Sequence, residues 1–332
     1  MSLIVHQIGP ACTIQDQGRT GYLDQGLSRS GAVDTMALHE GAALLGQSPE
    51  LAALEMAGMG GTFEATQNMR IALTGARMQA SIDDSLVAWN ASHHLEPGQR
   101  LVIGALLQGN YGYLHLGGGI DSEVFLGSRS AHLTARIGRA VKPGDRLTCG
   151  PDAGDAGLKL PPSERFSGGV LRVVASFQTS LFDGATLDRF ARTSFHRGAR
   201  ANRMGMQVNS DGDGFAATGQ LNILSEVITP GDIQMTGTGD PFILLPECQT
   251  TGGYPRIATV LPCDMPRAAQ TPAGGAITFE FVSMEQATEL HAAFMADLAR
   301  LPSKVEALVR NPHDIPDLLS YQLISGVISA TD

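Results

Sequence analysis

The sequence predicts a mainly β fold of about two domains with a helical C-terminal tail. Three observations carry that expectation. Glycine fills 40 of 332 positions, against a usual share of roughly 7%, which signals many turns, bulges and close backbone approaches. Short apolar runs broken by turn residues recur through residues 85–150 and again after 170, the grammar of barrels and sandwiches. From Ser283 the pattern changes to capping boxes followed by apolar residues at helical spacing.

The elements follow in order. Residues 3–8 read as a strand that ends at the turn signal Gly9-Pro10. A polar loop comes next, Gln15-Asp16-Gln17-Gly18-Arg19-Thr20-Gly21. Asp34 is placed to cap a helix through Leu38, Ala42 and Leu45, with Gly46 just past its end. Residues 51–63 and 70–75 look like strands. Pro97-Gly98, Gly104, Gly117-Gly118-Gly119 and Pro143-Gly144-Asp145 divide residues 85–150 into short strands. Residues 150–164 are the most linker-like stretch in the chain. Strands resume at 170–174 and continue at 242–245, 257–261 and 277–282. Ser283 with Gln286, and Ser303 with Glu306, form two capping boxes, so 283–310 read as two helices. The expected division is a first β domain over 1–150, a linker over 151–165, a second β domain over 166–283 and a helical tail over 284–332.

Composition narrows the function. The net charge is −10, which argues against a nucleic-acid surface. No stretch approaches the ~18 apolar residues of a membrane span. Only Lys142, Lys159 and Lys304 are lysines, and none follows a glycine, so there is no P-loop. Cys12, Cys149, Cys248 and Cys263 show no C-x-x-C spacing and read as buried free thiols. The N-terminus shows no basic region followed by an apolar run. A soluble cytoplasmic protein is the expectation. His39-Glu40 and His93-His94 lack partners at ligand spacing, so no metal is expected.

Three constellations could carry chemistry. Gln15, Asp16 and Arg19 share a glycine loop, where Arg19 could clamp a carboxylate or phosphate. An internal Asp–Arg pair pinning a turn explains the same residues. Gly127-Ser128-Arg129-Ser130 misses the G-x-S-x-G spacing of a nucleophile elbow, and His132 lies too close in sequence to orient a triad. A backbone cradle with Arg129, or a plain turn, suits it better. Glu226, Gln234, Gln249, Gly252, Gly253 and Tyr254 form the third group. Its amides and phenol could hold a polar ligand, and Glu226 or Glu247 could act as a base if burial raised its pKa. The glycines and Pro255 could equally shape a bulge.

In order along the chain, these loops resemble one family. Gly9-Pro10, Gln15-Asp16, Gly18-Arg19, Ser30-Gly31 and Asp34 match its first pattern, and Leu54-Glu55 a short second one. Gly117-Gly118 to Ser130, Arg203-Met204-Gly205 and Ser225 to Pro255 match the rest. The chain resembles the KipA-like family, also called allophanate hydrolase subunit 2, biotin-dependent carboxyltransferase or the C subunit of 5-oxoprolinase. The resemblance covers about residues 3–285. It implies two cyclophilin-like β-barrel domains in tandem, with the helical tail outside the match. It implies one member of an ATP-dependent 5-oxoprolinase complex that opens 5-oxo-L-proline to L-glutamate. The implied partners are a KipI-like chain (the B subunit of 5-oxoprolinase) and a LamB/YcsF-like chain (its A subunit). ATP would be used by the complex, since this chain has no P-loop. The alternatives are the carboxyltransferase half of a biotin-dependent, urea-carboxylase-like enzyme, or a regulatory KipA-type binding subunit. The implied catalytic candidates are Asp16, Arg129 and Glu226. The implied small-amide pocket is Gln15, Arg19, Asp34, Ser128, Arg129, Arg203, Gln234, Gln249 and Tyr254. Gly18, Gly31, Gly127, Gly252 and Gly253 would shape its backbone.

Overall fold

The computed structural model describes residues 1–215, 217 and 223–309. Its first half is built from two sheets over one core. One sheet runs in the order Arg146–Thr148, Ser2–Ile8, Gly61–Ala65, Arg100–Leu106, Met78–Ile82 and Ser85–Leu86. The other runs Thr13–Gln15, Ala53–Ala57, Tyr111–Leu116, Met69–Gly75, Ala91–Leu95, Leu158–Lys159 and Glu306–Ala307. Leu3, Val5 and Phe63 of the first sheet pack against Leu54, Ile71 and Leu114 of the second, all fully buried. Helix α1 (Thr35–Leu45) lies on the second sheet, with its N-terminus capped by Asp34 and its end closed by left-handed Gly46. Both caps are where the sequence puts them.

The second half is a closed barrel. Its strands run Gly169–Val174, Arg256–Val260, Asp232–Met235, Pro241–Leu244, Gly205–Asn209, Phe195–Asn202 and Ala276–Phe281. The closing pair, Gly169–Val174 with Ala276–Phe281, is parallel. Helix α2 (Gly184–Arg192), which the strand grammar conceals, plugs the barrel. Its Phe190 stacks on Phe279 at 4.7 Å and meets Phe195 and Phe215 at 5.2 and 5.5 Å. A short helix α3 (Met265–Gln270) leads to the last barrel strand.

The two halves share a core. Val33, Leu38, Tyr111 and Tyr113 of the first belong to the same buried cluster as the barrel interior. The stretch at 151–165 is tied down rather than free. Arg70 donates to the Asp152 carboxylate and to the Ala153 and Asp155 carbonyls, and Leu158–Lys159 joins the second sheet.

The tail differs from expectation in one respect. Helix α4 (Met284–Ala299) starts at the Ser283/Gln286 capping box, as the sequence predicts. The Ser303/Glu306 box starts no helix. Leu301–Lys304 is a single 3-10 turn, and Glu306–Ala307 pairs as a strand with Leu158–Lys159. The free edge of that strand offers backbone partners that a short isolated helix lacks. The expected tail from 310 onward lies outside the described residues. No described helix is long and apolar enough to cross a membrane.

Candidate functional site

The first and second constellations meet in space. The Asp16 carboxylate accepts from Ser128 Oγ at 2.6 Å, Ser130 Oγ at 2.5 Å and the backbone N–H groups of Gly18 and Arg129 at 2.8 and 2.6 Å. Burial pushes this carboxyl up, but those hydrogen bonds outweigh it and hold Asp16 below its usual value. Both oxygens are occupied and both serines are buried. Asp16 is therefore a pin between two loops, not a poised base, and Ser128 is its donor. Gly18 and Gly31 let the loop close. Their φ angles are +81° and +87°, and a Cβ on Gly18 would meet the Arg29 carbonyl oxygen at 2.7 Å. Gly18→Ala is expected to cost about 1–3 kcal/mol through strain and clash. Thermal unfolding should show it, and an unchanged midpoint would refute the packing argument.

Arg203 is just as fully engaged. It donates from Nε to Glu247 at 2.6 Å, from Nη2 to the Gly31 carbonyl at 2.7 Å, and from Nη1 to Glu55. Glu55 also accepts from Tyr113 Oη at 2.7 Å and Val33 N at 2.9 Å. Arg203 thus ties the barrel to the first half. Beyond Glu247 stands His132, whose Nδ1 is 3.8 Å from the carboxylate and whose Nε2 is 2.8 Å from Ser28 Oγ. The series looks like a triad. However, Ala135 N–H points at Nδ1 from 3.3 Å, which assigns the ring proton to Nε2, toward Ser28. In that tautomer Ser28 accepts, and His132 cannot take its proton.

Asp34 is another buried anchor. Its Oδ1 caps helix α1, while Oδ2 accepts from Arg165 Nε and Gln270 Nε2, both at 2.8 Å. Arg129 alone of this loop reaches outward. Its guanidinium meets Asp121 at 2.8 Å and lines a groove of about 360 Å³.

The open cleft lies on the barrel. It encloses about 550 Å³ and is lined by Arg200, Asn202, Met204, Gln234, Phe242 and Gln249, among others. Gln234 is 8% exposed, and its Nε2 has no partner. Gly252 makes room for it, because a Cβ there would sit 2.5 Å from that nitrogen. Cys248 also lines the cleft, but burial pushes its thiol up to about 12, so it is no thiolate near neutrality. All four cysteines are free. Among the described residues no group of three His, Cys, Asp or Glu could hold a metal ion.

A family model described as carboxyltransferase domain, subdomain A and B, matches residues 25–281. The chain belongs to this carboxyltransferase-domain family. It is 34% identical to the C subunit of 5-oxoprolinase from Escherichia coli K12 over 289 residues, which is 86% of this chain and 93% of the relative. It is 25% identical to urea amidolyase of Lachancea kluyveri, covering 85% of this chain but only 17% of the relative. The crystal structure of TTHA0988 superposes with a TM-score of 0.77 at 28% identity, over 84% of this chain and 56% of that chain. The K. lactis urea amidolyase structure shares the fold, with a TM-score of 0.80 at 22% identity, over 94% of this chain and 21% of that chain.

Within this carboxyltransferase-domain chain, the proposed residues fall into three places. Gln15, Asp16, Arg19, Asp34, Ser128 and Arg203 are buried, and of these Asp34 and Arg203 bond between the halves. Gln234 and Gln249 line the barrel cleft. Arg129 lines the separate groove. Glu226 does not become a base by burial. Its side chain is 51% exposed and receives hydrogen bonds from Arg256 Nη2 at 2.9 Å and Gln178 Nε2 at 2.7 Å. Tyr254, 44% exposed, is not among the cleft-lining residues. Gly127 faces open space, so no close approach there requires glycine, although its φ of +79° suits one. Gly253 is likewise clear of the cleft, beside the Ile223 carbonyl. Sequence reading missed Arg200 and Asn202, which reach the cleft, and Gln178 and Arg256, which brace its neighbouring hairpin. The only signal for Arg200, Asn202 and Arg256 is position on the strand Phe195–Asn202 or near Tyr254, and Gln178 has none.

Proposed function

We propose that this chain is the C subunit of an ATP-dependent 5-oxoprolinase, acting with KipI-like and LamB/YcsF-like partner chains in the cytoplasm. The observation that carries this reading is the match across 93% of the corresponding E. coli 5-oxoprolinase chain. The urea amidolyase match spans a small fraction of a much longer protein. The cleft suits the substrate class. Gln234 lines the cleft, and its buried, unpartnered Nε2 would turn to donate to a lactam carbonyl, while Arg200 offers a cation to a carboxylate. Its volume lies in the ordinary range of small-molecule sites.

A triphosphate does not fit this cleft, whose lining offers Arg200 as its one cation beside Met204, Phe242 and Leu244. We therefore place no nucleotide in this cleft. This chain's own residues bind and orient the amide.

Purified alone, the chain is expected to release no glutamate from 5-oxoproline. Release should appear when both partner chains and ATP are added, and background release in the full mixture would overturn the reading. In that mixture Gln234→Leu is expected to lower kcat/KM about tenfold, the worth of one hydrogen bond. An unchanged kcat/KM would remove Gln234 from the site. The alternative is a biotin-dependent carboxyltransferase half, whose ureido group would suit the same glutamine pair. It predicts turnover of a carboxylated carrier in place of glutamate release.

A further inference from the structure

Val124, Phe125 and Leu126 are three consecutive apolar residues that stand 53%, 48% and 38% exposed. Such a run on a surface is a liability unless something uses it. The chain also builds it at a local cost. Phe125 N–H donates to the Ser128 carbonyl at 2.9 Å, and Ser128 N–H to the Phe125 carbonyl at 3.2 Å, which closes a two-residue hairpin. Its central residues, Leu126 and Gly127, have φ angles of +51° and +79°. Asparagine or glycine suits the first of these positions, and leucine is strained there. A stiff stem holds the tip. The Asp16 carboxylate accepts from Ser128 Oγ and Arg129 N–H, and the Arg129 guanidinium meets Asp121. Asp121 N–H in turn donates to the Thr148 carbonyl at 2.8 Å. An apolar tip that is exposed, strained and rigidly held is pre-organised for contact.

A groove of about 360 Å³ adjoins the stem. Asp121 and Glu123 of the stem line it, together with Arg139, Arg146 and the apolar Ile120 and Leu147. The strand Arg146–Thr148 is the outermost of its sheet, so its edge is open to an added extended segment beyond the contact at Thr148. Residues 121–146 carry five Lys or Arg against three Asp or Glu, in a chain of net charge −10. Asp121 pairs with Arg129 and Asp145 with Arg139, while Arg136, Lys142 and Arg146 have no ion pair among the described residues. This surface is therefore locally positive and favours an acidic segment. The relatives point to protein as the occupant. The fold makes up 56% of the TTHA0988 chain, whereas the match spans 93% of the E. coli subunit. A unit that is joined to further protein in one relative and separate in another has a surface shaped to meet protein.

We propose that the Val124–Leu126 hairpin and the groove beside it are the docking surface for a partner subunit. The partner supplies an apolar socket for Phe125 and Leu126 and an extended acidic segment for the groove. This rests on the multi-subunit reading above and says where that assembly forms.

The test titrates the full chain with the KipI-like and the LamB/YcsF-like chain in turn, by sedimentation velocity at low and high salt. Phe125→Ser combined with Leu126→Asn is expected to weaken binding of one partner chain about tenfold or more. The thermal midpoint of the free variant should stay level or rise, because asparagine accepts the left-handed φ. Arg146→Glu leaves the hairpin intact and should weaken the same complex about fivefold, as should a rise in salt. Unchanged affinity in the double variant overturns the docking surface and leaves the 5-oxoprolinase reading standing. A wild-type chain that binds neither partner chain overturns that reading and this proposal with it. A wild-type dimer abolished by the double variant would make the surface a contact between copies, which also overturns the proposal.

Discussion

Arg165→Met is expected to lower the unfolding free energy by about 3–5 kcal/mol, the usual result of removing one partner from a buried ionic group. Arg165 lies at the end of the supposed linker, yet its side chain is buried between Asp34 and Glu40. Nε donates to Asp34 at 2.8 Å, and Nη1 and Nη2 grip Glu40 at 2.7 and 2.6 Å. The nearby acids and these bonds more than offset burial and raise the guanidinium above its usual value. Without it, two carboxylates remain in a dry site. The midpoint should fall by roughly 6–15 °C. The deficit should shrink as pH falls, because the stranded Glu40 carboxyl, pushed up by burial, takes up a proton. Adding Asp34→Asn and Glu40→Gln to the variant should recover part of the loss. A denaturant series placing Arg165→Met within 1 kcal/mol of wild type would contradict this, on the scale of ordinary surface substitutions.

Asp16→Ala is expected to cost about 3–5 kcal/mol. It strands two hydroxyls and two backbone N–H groups that now converge on one carboxylate. The wild type carries a matching pH signature. The folded Asp16 pKa lies below its ordinary 3.8. Its stabilisation is therefore complete above 3.8 and is lost as pH falls from there through the folded value. Stability curves for wild type and Asp16→Asn should run parallel near neutrality and converge in acid. Curves that stay parallel throughout would show that the carboxylate charge contributes nothing.

Much of the fold is legible in local patterns. Asp34 and Gly46 bracket helix α1, and Ser283 with Gln286 starts helix α4. These signals are readable because a cap acts over a few residues. The Ser303/Glu306 box shows the limit. The same local signal yields a turn and a strand, because an open sheet edge competes for its backbone. Helix α2 was hidden for a related reason. Its Asp183 cap and its apolar face of Leu187 and Phe190 are legible, but nine residues set between strand-like runs conceal it.

The site divides the same way. The sequence alone determined which polar loops matter, since glycine, amide, acid and arginine cluster within a few positions of one another. It could not decide which of them bind a ligand and which bind each other. Asp16 meets Ser128 across 112 positions, and Arg203 meets Glu55 across 148. Partner choice for a buried charge is set by three-dimensional approach, not by spacing along the chain. Burial decides the rest. A carboxylate or guanidinium removed from water must find a counter-group inside the protein, and that demand consumed Asp16, Asp34 and Arg203. It left Gln234 lining the cleft and Arg19 unmatched.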